Sequence, residues 1–131
     1  MLRAALPLAV LLVAAPALGS KPEDFVGLWG VTMTTSYSTC KTAKVADVKS
    51  EEWNFNVEAG RVKVVTLGGT GTDARYEGEL SKDGSFDLRN GTMTGVQLKG
   101  DTHSLRGTRV AARLQGAQPC AIIYELKLSK K

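Results

Sequence analysis

Cysteine, histidine and aromatic residues are scarce in this chain of 131 residues. It has two cysteines, one histidine and 6% aromatics. A closed structural zinc site takes four cysteine or histidine ligands, so no such site is expected. The lone His103 has no partner positioned by sequence, so it reads as a surface histidine rather than a general base. No Gly-x-Ser-x-Gly nucleophile motif occurs. Charge of one sign is also lacking. The formal net charge is +4, and the basic residues are scattered along the chain. Without a basic cluster or interleaved aromatics and arginines, nucleic-acid binding is not expected.

Long apolar runs are missing too. The one apolar stretch, residues 6–15, is interrupted by Pro7 and is too short to span a membrane. It follows Arg3 and precedes Ala17-Leu18-Gly19. A positive start, an apolar middle and small residues before a cut define a signal peptide. Residues 1–19 are therefore expected to be removed after Gly19, with no membrane span in the mature chain. Residues 20–131 are expected to form one domain that is exported, to a periplasm or as a secreted protein. No cysteine lies near the cut, so a lipid-anchored form is not expected.

What is present is alternation. Residues 26–39 place Trp29, Val31, Met33 and Tyr37 at odd positions and Thr32, Thr34, Ser36 and Ser38 at even ones. Period 2 marks a strand with one apolar face. Residues 41–51 are polar and read as a long connection. Residues 52–58 alternate again, with Trp53, Phe55 and Val57 on one face. Further strands are expected at 61–67, 72–80, a short run around Phe86 and Leu88, 92–99, 102–114 and 120–128. In 92–99 either Val96 and Leu98 or Met93 and Gln97 face inward. Residues 102–114 are expected to bend or bulge at Gly107, with Val110, Ala112 and Leu114 inward. Ala59-Gly60, Lys82-Asp83-Gly84, Asn90-Gly91 and Gly100-Asp101 are turn signals, Asn90-Gly91 the strongest.

Eight short strands without a convincing helix read as an all-β barrel or sandwich. Two cysteines in an exported chain are expected to pair. In an up-and-down meander, Cys40 ends the first strand and Cys120 opens the last. They lie within bonding reach if the sheet closes on itself. The expected fold is an eight-stranded antiparallel up-and-down β-barrel closed by a Cys40–Cys120 disulfide. A sandwich could also bring the two together.

Phe25-Val26-Gly27-Leu28-Trp29 resembles the Phe-x-Gly-x-Trp opening of the lipocalins and the wider calycin group; avidins share the Gly-x-Trp part. The resemblance implies an eight-stranded meander barrel whose closed end is plugged by Trp29. It also implies a late basic residue over that tryptophan, Lys127 or Lys130. The chain departs from the family. It has no Thr-Asp-Tyr motif near residues 100–103 and no C-terminal helix, and it is shorter than ordinary lipocalins.

The candidate chemistry is sparse elsewhere. Gly68-Gly69-Thr70-Gly71-Thr72 lacks the Lys-Ser/Thr and helix of a phosphate loop, and reads as a hairpin loop. Asn90-Gly91-Thr92 fits a glycosylation sequon, but is read as a turn alone. Adjacent Glu51 and Glu52 point to opposite faces of a strand; Glu77 and Glu79 share the polar face. Neither an enzyme nor a cofactor is expected. An eight-stranded barrel is just wide enough to be filled or to hold one small ligand. Met33, Thr35, Tyr37, Phe55, Tyr76 and Tyr124 would line an apolar cavity with a few hydroxyls, under a lid formed by residues 41–51. The expected function is binding of a small, largely apolar ligand. The alternative is a protein partner, as for a protease inhibitor or envelope assembly factor, contacted by loops and residues 20–24.

Overall fold

The computed structural model describes residues 21–67, 74–91 and 94–131. The expected signal segment 1–19, the glycine-rich loop 68–72, and Thr92 and Met93 lie outside the described residues. A short 3-10 turn, Pro22–Phe25, leads into eight strands. They are β1 (Gly27–Ser38), β2 (Val48–Glu58), β3 (Arg61–Leu67), β4 (Arg75–Leu80), β5 (Ser85–Asn90), β6 (Thr94–Gly100), β7 (Ser104–Gln115) and β8 (Gln118–Lys130). Each strand pairs with the next, and β8 returns to β1, so the sheet is a closed antiparallel barrel without an edge.

Closure follows from the register. Trp29 lies opposite Lys130 and Ser38 opposite Ile122, so β1 and β8 run side by side along nearly their whole length. Cys40 and Cys120 are bonded, with Cα atoms 5.1 Å apart, just beyond the last β1–β8 pair. The strands alternate between faces, β1 as far as Thr35. The inner face carries Trp29, Val31, Met33, Phe55, Val64, Leu88, Val96, Leu98, Leu126 and Leu128, all buried. Val96 and Leu98 are thus the inward pair of β6. The outer face carries charge. Arg61 pairs with Glu77 and Glu79, and Lys63 with Glu58 and Glu77, across exposed strands β2 to β4. Charges outside and apolar side chains inside are the reverse of a lipid-embedded barrel. Among the described residues no helix is long and apolar enough to cross a membrane.

Three expectations are corrected. First, β2 starts at Val48, where Val48, Lys49 and Ser50 pair with Thr34, Met33 and Thr32. The connection is therefore shorter than 41–51, and Glu51 joins the strand. Second, the register of β1 against β8 shifts between Thr35 and Tyr37. Ser36 is the extra residue, and its hydroxyl donates to the Ile123 carbonyl at 3.1 Å. A bulge reverses the alternation beyond it, so Tyr37 faces outward and is 49% exposed. Third, the face of β7 is inverted. Leu105 and Ala111 are buried, while Val110 and Leu114 are exposed. The pairing of β7 runs unbroken through Gly107 to both neighbours, with no bulge there. At the turn after β5, Gly91 takes the positive φ of 64°, whereas Asn90 stays in the strand opposite Thr94.

Candidate functional site

The two ends of the barrel interior differ. At the end where β1 begins, Phe25 folds under the barrel and its ring meets Phe86 edge-on at 4.8 Å. Trp29 packs on Phe55 at 5.3 Å, and Phe55 on Phe86 at 6.1 Å. Trp29 is fully buried, and its indole N–H donates to the Phe25 carbonyl at 2.9 Å. The ring nitrogen is thereby satisfied without water. Lys130, opposite Trp29, donates its ammonium to the Asp24 carbonyl at 2.9 Å. Of the two late basic residues the resemblance implied, Lys130 is the one at this end. The end is plugged with rings and tied by the N-terminal turn. The Lys21 N–H bonds Asp24 at 2.8 Å within the turn itself, and Phe25 is its buried residue.

The opposite end carries the disulfide and the β1–β2 connection. That connection is held to β1 by Ala46 N–H to Thr35 C=O at 2.8 Å and Thr35 N–H to Asp47 C=O at 2.9 Å, and it buries Ala43. Here the inner face turns polar. Thr35 and Thr66 are buried. Glu51 points inward from the extended start of β2 and accepts from the Trp53 indole N–H at 2.7 Å. The alternation of β7 from Leu105 through Gly107 brings Arg109 onto the inner face.

Arg109 is the centre of this half. Its guanidinium carbon lies 5.7 Å from the Tyr76 ring centroid and 5.6 Å from that of Tyr124. Two such contacts hold a cation between aromatic faces. One terminal nitrogen, Nη1, reaches the Met33 sulfur at 3.8 Å. Tyr76 in turn stacks on Trp53 at 5.9 Å. The Tyr76 hydroxyl and Arg109 Nε are both buried, and neither finds a hydrogen-bond partner among the described residues. Burial pushes the Tyr76 phenol above its ordinary value of 10.0. Nearby Arg109 and Arg113 act against that rise, and Glu51 and Tyr124 add to it. The hydroxyl therefore stays protonated at neutral pH and remains a donor.

Of the six residues expected to line a cavity, Met33, Tyr76 and Tyr124 gather around Arg109. Thr35 is buried nearer the disulfide end, beyond Met33 on the same strand. Phe55 belongs to the aromatic plug instead, and Tyr37 lies outside. Arg109 and Glu51 were missed. The signal for Arg109 was present, since Leu105, Gly107, Arg109 and Ala111 form one period-2 set; the apolar Val110 and Leu114 pointed to the other. His103 sits in the β6–β7 turn, exposed, with Nδ1 3.2 Å from the Thr102 hydroxyl and no other hydrogen bond from its ring among the described residues. No protein-family model matches this chain, and no curated protein matches it.

Proposed function

We propose that this chain is an exported, non-enzymatic barrel of the calycin type that holds one small, largely apolar molecule inside, entered from the disulfide end. The observation that carries the reading is the asymmetry of the interior. One end is closed by Phe25, Trp29, Phe55 and Phe86, and its single indole donor is satisfied. The other half is apolar wall with buried polar atoms that have no partner among the described residues. A core selected only for stability gains by pairing or removing such atoms. A ligand site instead keeps a few placed polar groups among apolar ones. Export is supported by the Cys40–Cys120 bond, since disulfides persist in oxidising compartments.

The test has two parts. Native mass spectrometry of protein recovered from its own compartment should show a small adduct that leaves on denaturation. The purified protein should also enhance the fluorescence of the neutral probe N-phenyl-1-naphthylamine saturably, at one probe per chain. A bare mass together with no probe binding would overturn the reading.

A further inference from the structure

We propose that Arg109 and Tyr76 form a carboxylate seat, so that the ligand is a monocarboxylate with an apolar body. The inference rests on the binding reading above and names the polar end of its ligand. Three observations carry it.

The first is charge. Arg109 is half-buried, with its Nε wholly buried, and a guanidinium drawn even partly from water is costly unless an anion faces it. The ion pairs of the described residues lie on exposed side chains, and none includes Arg109. Glu51, inward beside this cluster, gives one oxygen to the Trp53 indole N–H and keeps its negative charge, which acts on Tyr76 against Arg109. Arg113 adds a second positive charge close enough to act on Tyr76.

The second is geometry. The rings of Tyr76 and Tyr124 both lie against the guanidinium, 5.7 and 5.6 Å from its central carbon. Met33 sulfur, a weak acceptor, takes Nη1. The Nε edge is left without a partner among the described residues. A guanidinium edge offers two parallel N–H donors, which match the two oxygens of a carboxylate.

The third is the second orphan donor. Tyr76 is 1% exposed, its ring lies against the same guanidinium, and its hydroxyl has no partner among the described residues. Two unpaired donors in one cluster call for an acceptor with more than one oxygen. The surrounding wall of Met33, Trp53, Ile122 and Leu126 is apolar and buried, which suits a hydrocarbon body rather than a sugar or a peptide.

The experiment is displacement of bound N-phenyl-1-naphthylamine from the disulfide-bonded protein by dodecanoate and by dodecan-1-ol. The two share chain length and differ in the head group. Dodecanoate is expected to compete at a concentration at least about tenfold lower, the size of a charged hydrogen bond to a buried group. Arg109→Gln should bring the two within about twofold by weakening dodecanoate alone. Tyr76→Phe should narrow the gap by several-fold. Arg109→Lys, which keeps the charge and loses the fork, should retain a reduced preference. Near-UV circular dichroism checks that each variant keeps the native packing. If both Arg109 variants lose it, the comparison of the two head groups on the unaltered protein still decides. Equal competition by both molecules would overturn the carboxylate seat and leave the binding reading standing. Failure of the probe and of both molecules to bind would overturn the binding reading, and the seat with it.

Discussion

Tyr76 and Trp29 are buried to the same degree, yet one polar atom is paired and the other is not. The Trp29 N–H has the Phe25 carbonyl, whereas the Tyr76 hydroxyl has nothing among the described residues. Removing a buried orphan hydroxyl while keeping the ring costs little and can stabilise. Tyr76→Phe is therefore expected to leave stability at pH 7 unchanged or raised. It should also change the alkaline limb of the stability curve. Burial raises the folded phenol above 10.0, while the unfolded phenol titrates near that value. Between the two, the folded chain holds a proton that the unfolded chain has lost. The contribution is full below about pH 10 and is lost as pH rises through the folded value. In Tyr76→Phe that limb should flatten; the exposed Glu58–Lys63 pair titrates alike in both proteins. Urea unfolding midpoints at pH 7 and from pH 9 to 11 would show this. A loss above about 1 kcal/mol at pH 7 would mean that the hydroxyl has a partner after all.

At the scale of elements, β7 decides what the interior can do, and it also marks the limit of what alternation reveals. β2, β3 and β8 were legible because most of their large apolar and charged residues keep one period, as in Val62 and Val64 against Arg61 and Lys63, and departures such as inward Glu51 and outward Leu67 sit at strand ends. β7 breaks the rule twice. It puts a charged residue inside and two apolar ones outside, so residue type and direction disagree. β1 hides its bulge for a similar reason: a run of hydroxyl residues gives no sign of which one is extra. The aromatic plug was foreshadowed by Trp29, but the polar cluster was not, because its central residue looked like surface. Gly107 has its own reason to be glycine. A Cβ there would lie 1.7 Å from the Gln97 carbonyl oxygen of β6, a backbone atom that cannot swing aside. At Gly95 the nearest atom is the flexible Arg89 side chain, at an ordinary 3.5 Å. Gly107→Ala is expected to destabilise by about 2 kcal/mol or more, since strands must separate to admit the methyl. Gly95→Ala should stay within about 0.5 kcal/mol. Equal midpoints for the two variants in denaturant would show that the β6–β7 contact is looser than the backbone spacing implies.

For the whole molecule, the costly step is joining the first strand to the last. Each hairpin from β2 to β7 closes over a few residues, but β1 must find β8 from Trp29 to Lys130. Until it does, the barrel has two exposed edges and an uncovered interior. The Cys40–Cys120 bond spans 80 residues and sits at the end of that seam. By chain entropy such a loop contributes up to about 4.5 kcal/mol, acting on the unfolded chain rather than on native contacts. Where that energy shows kinetically depends on when the seam forms. Transition states of small domains have already buried most of the native surface, and this barrel cannot bury its interior while the seam is open. Closure should therefore come before the barrier. Reduction is then expected to slow refolding and lower the urea midpoint, with the unfolding rate nearly unchanged. Stopped-flow tryptophan fluorescence on the oxidised protein and on the Cys40→Ala/Cys120→Ala variant reads both limbs. If reduction instead speeds unfolding and leaves refolding alone, the seam zips after the barrier, and the β2–β7 meander is the nucleus. If neither limb moves, the bond adds nothing to a seam that the β1–β8 hydrogen bonds already hold.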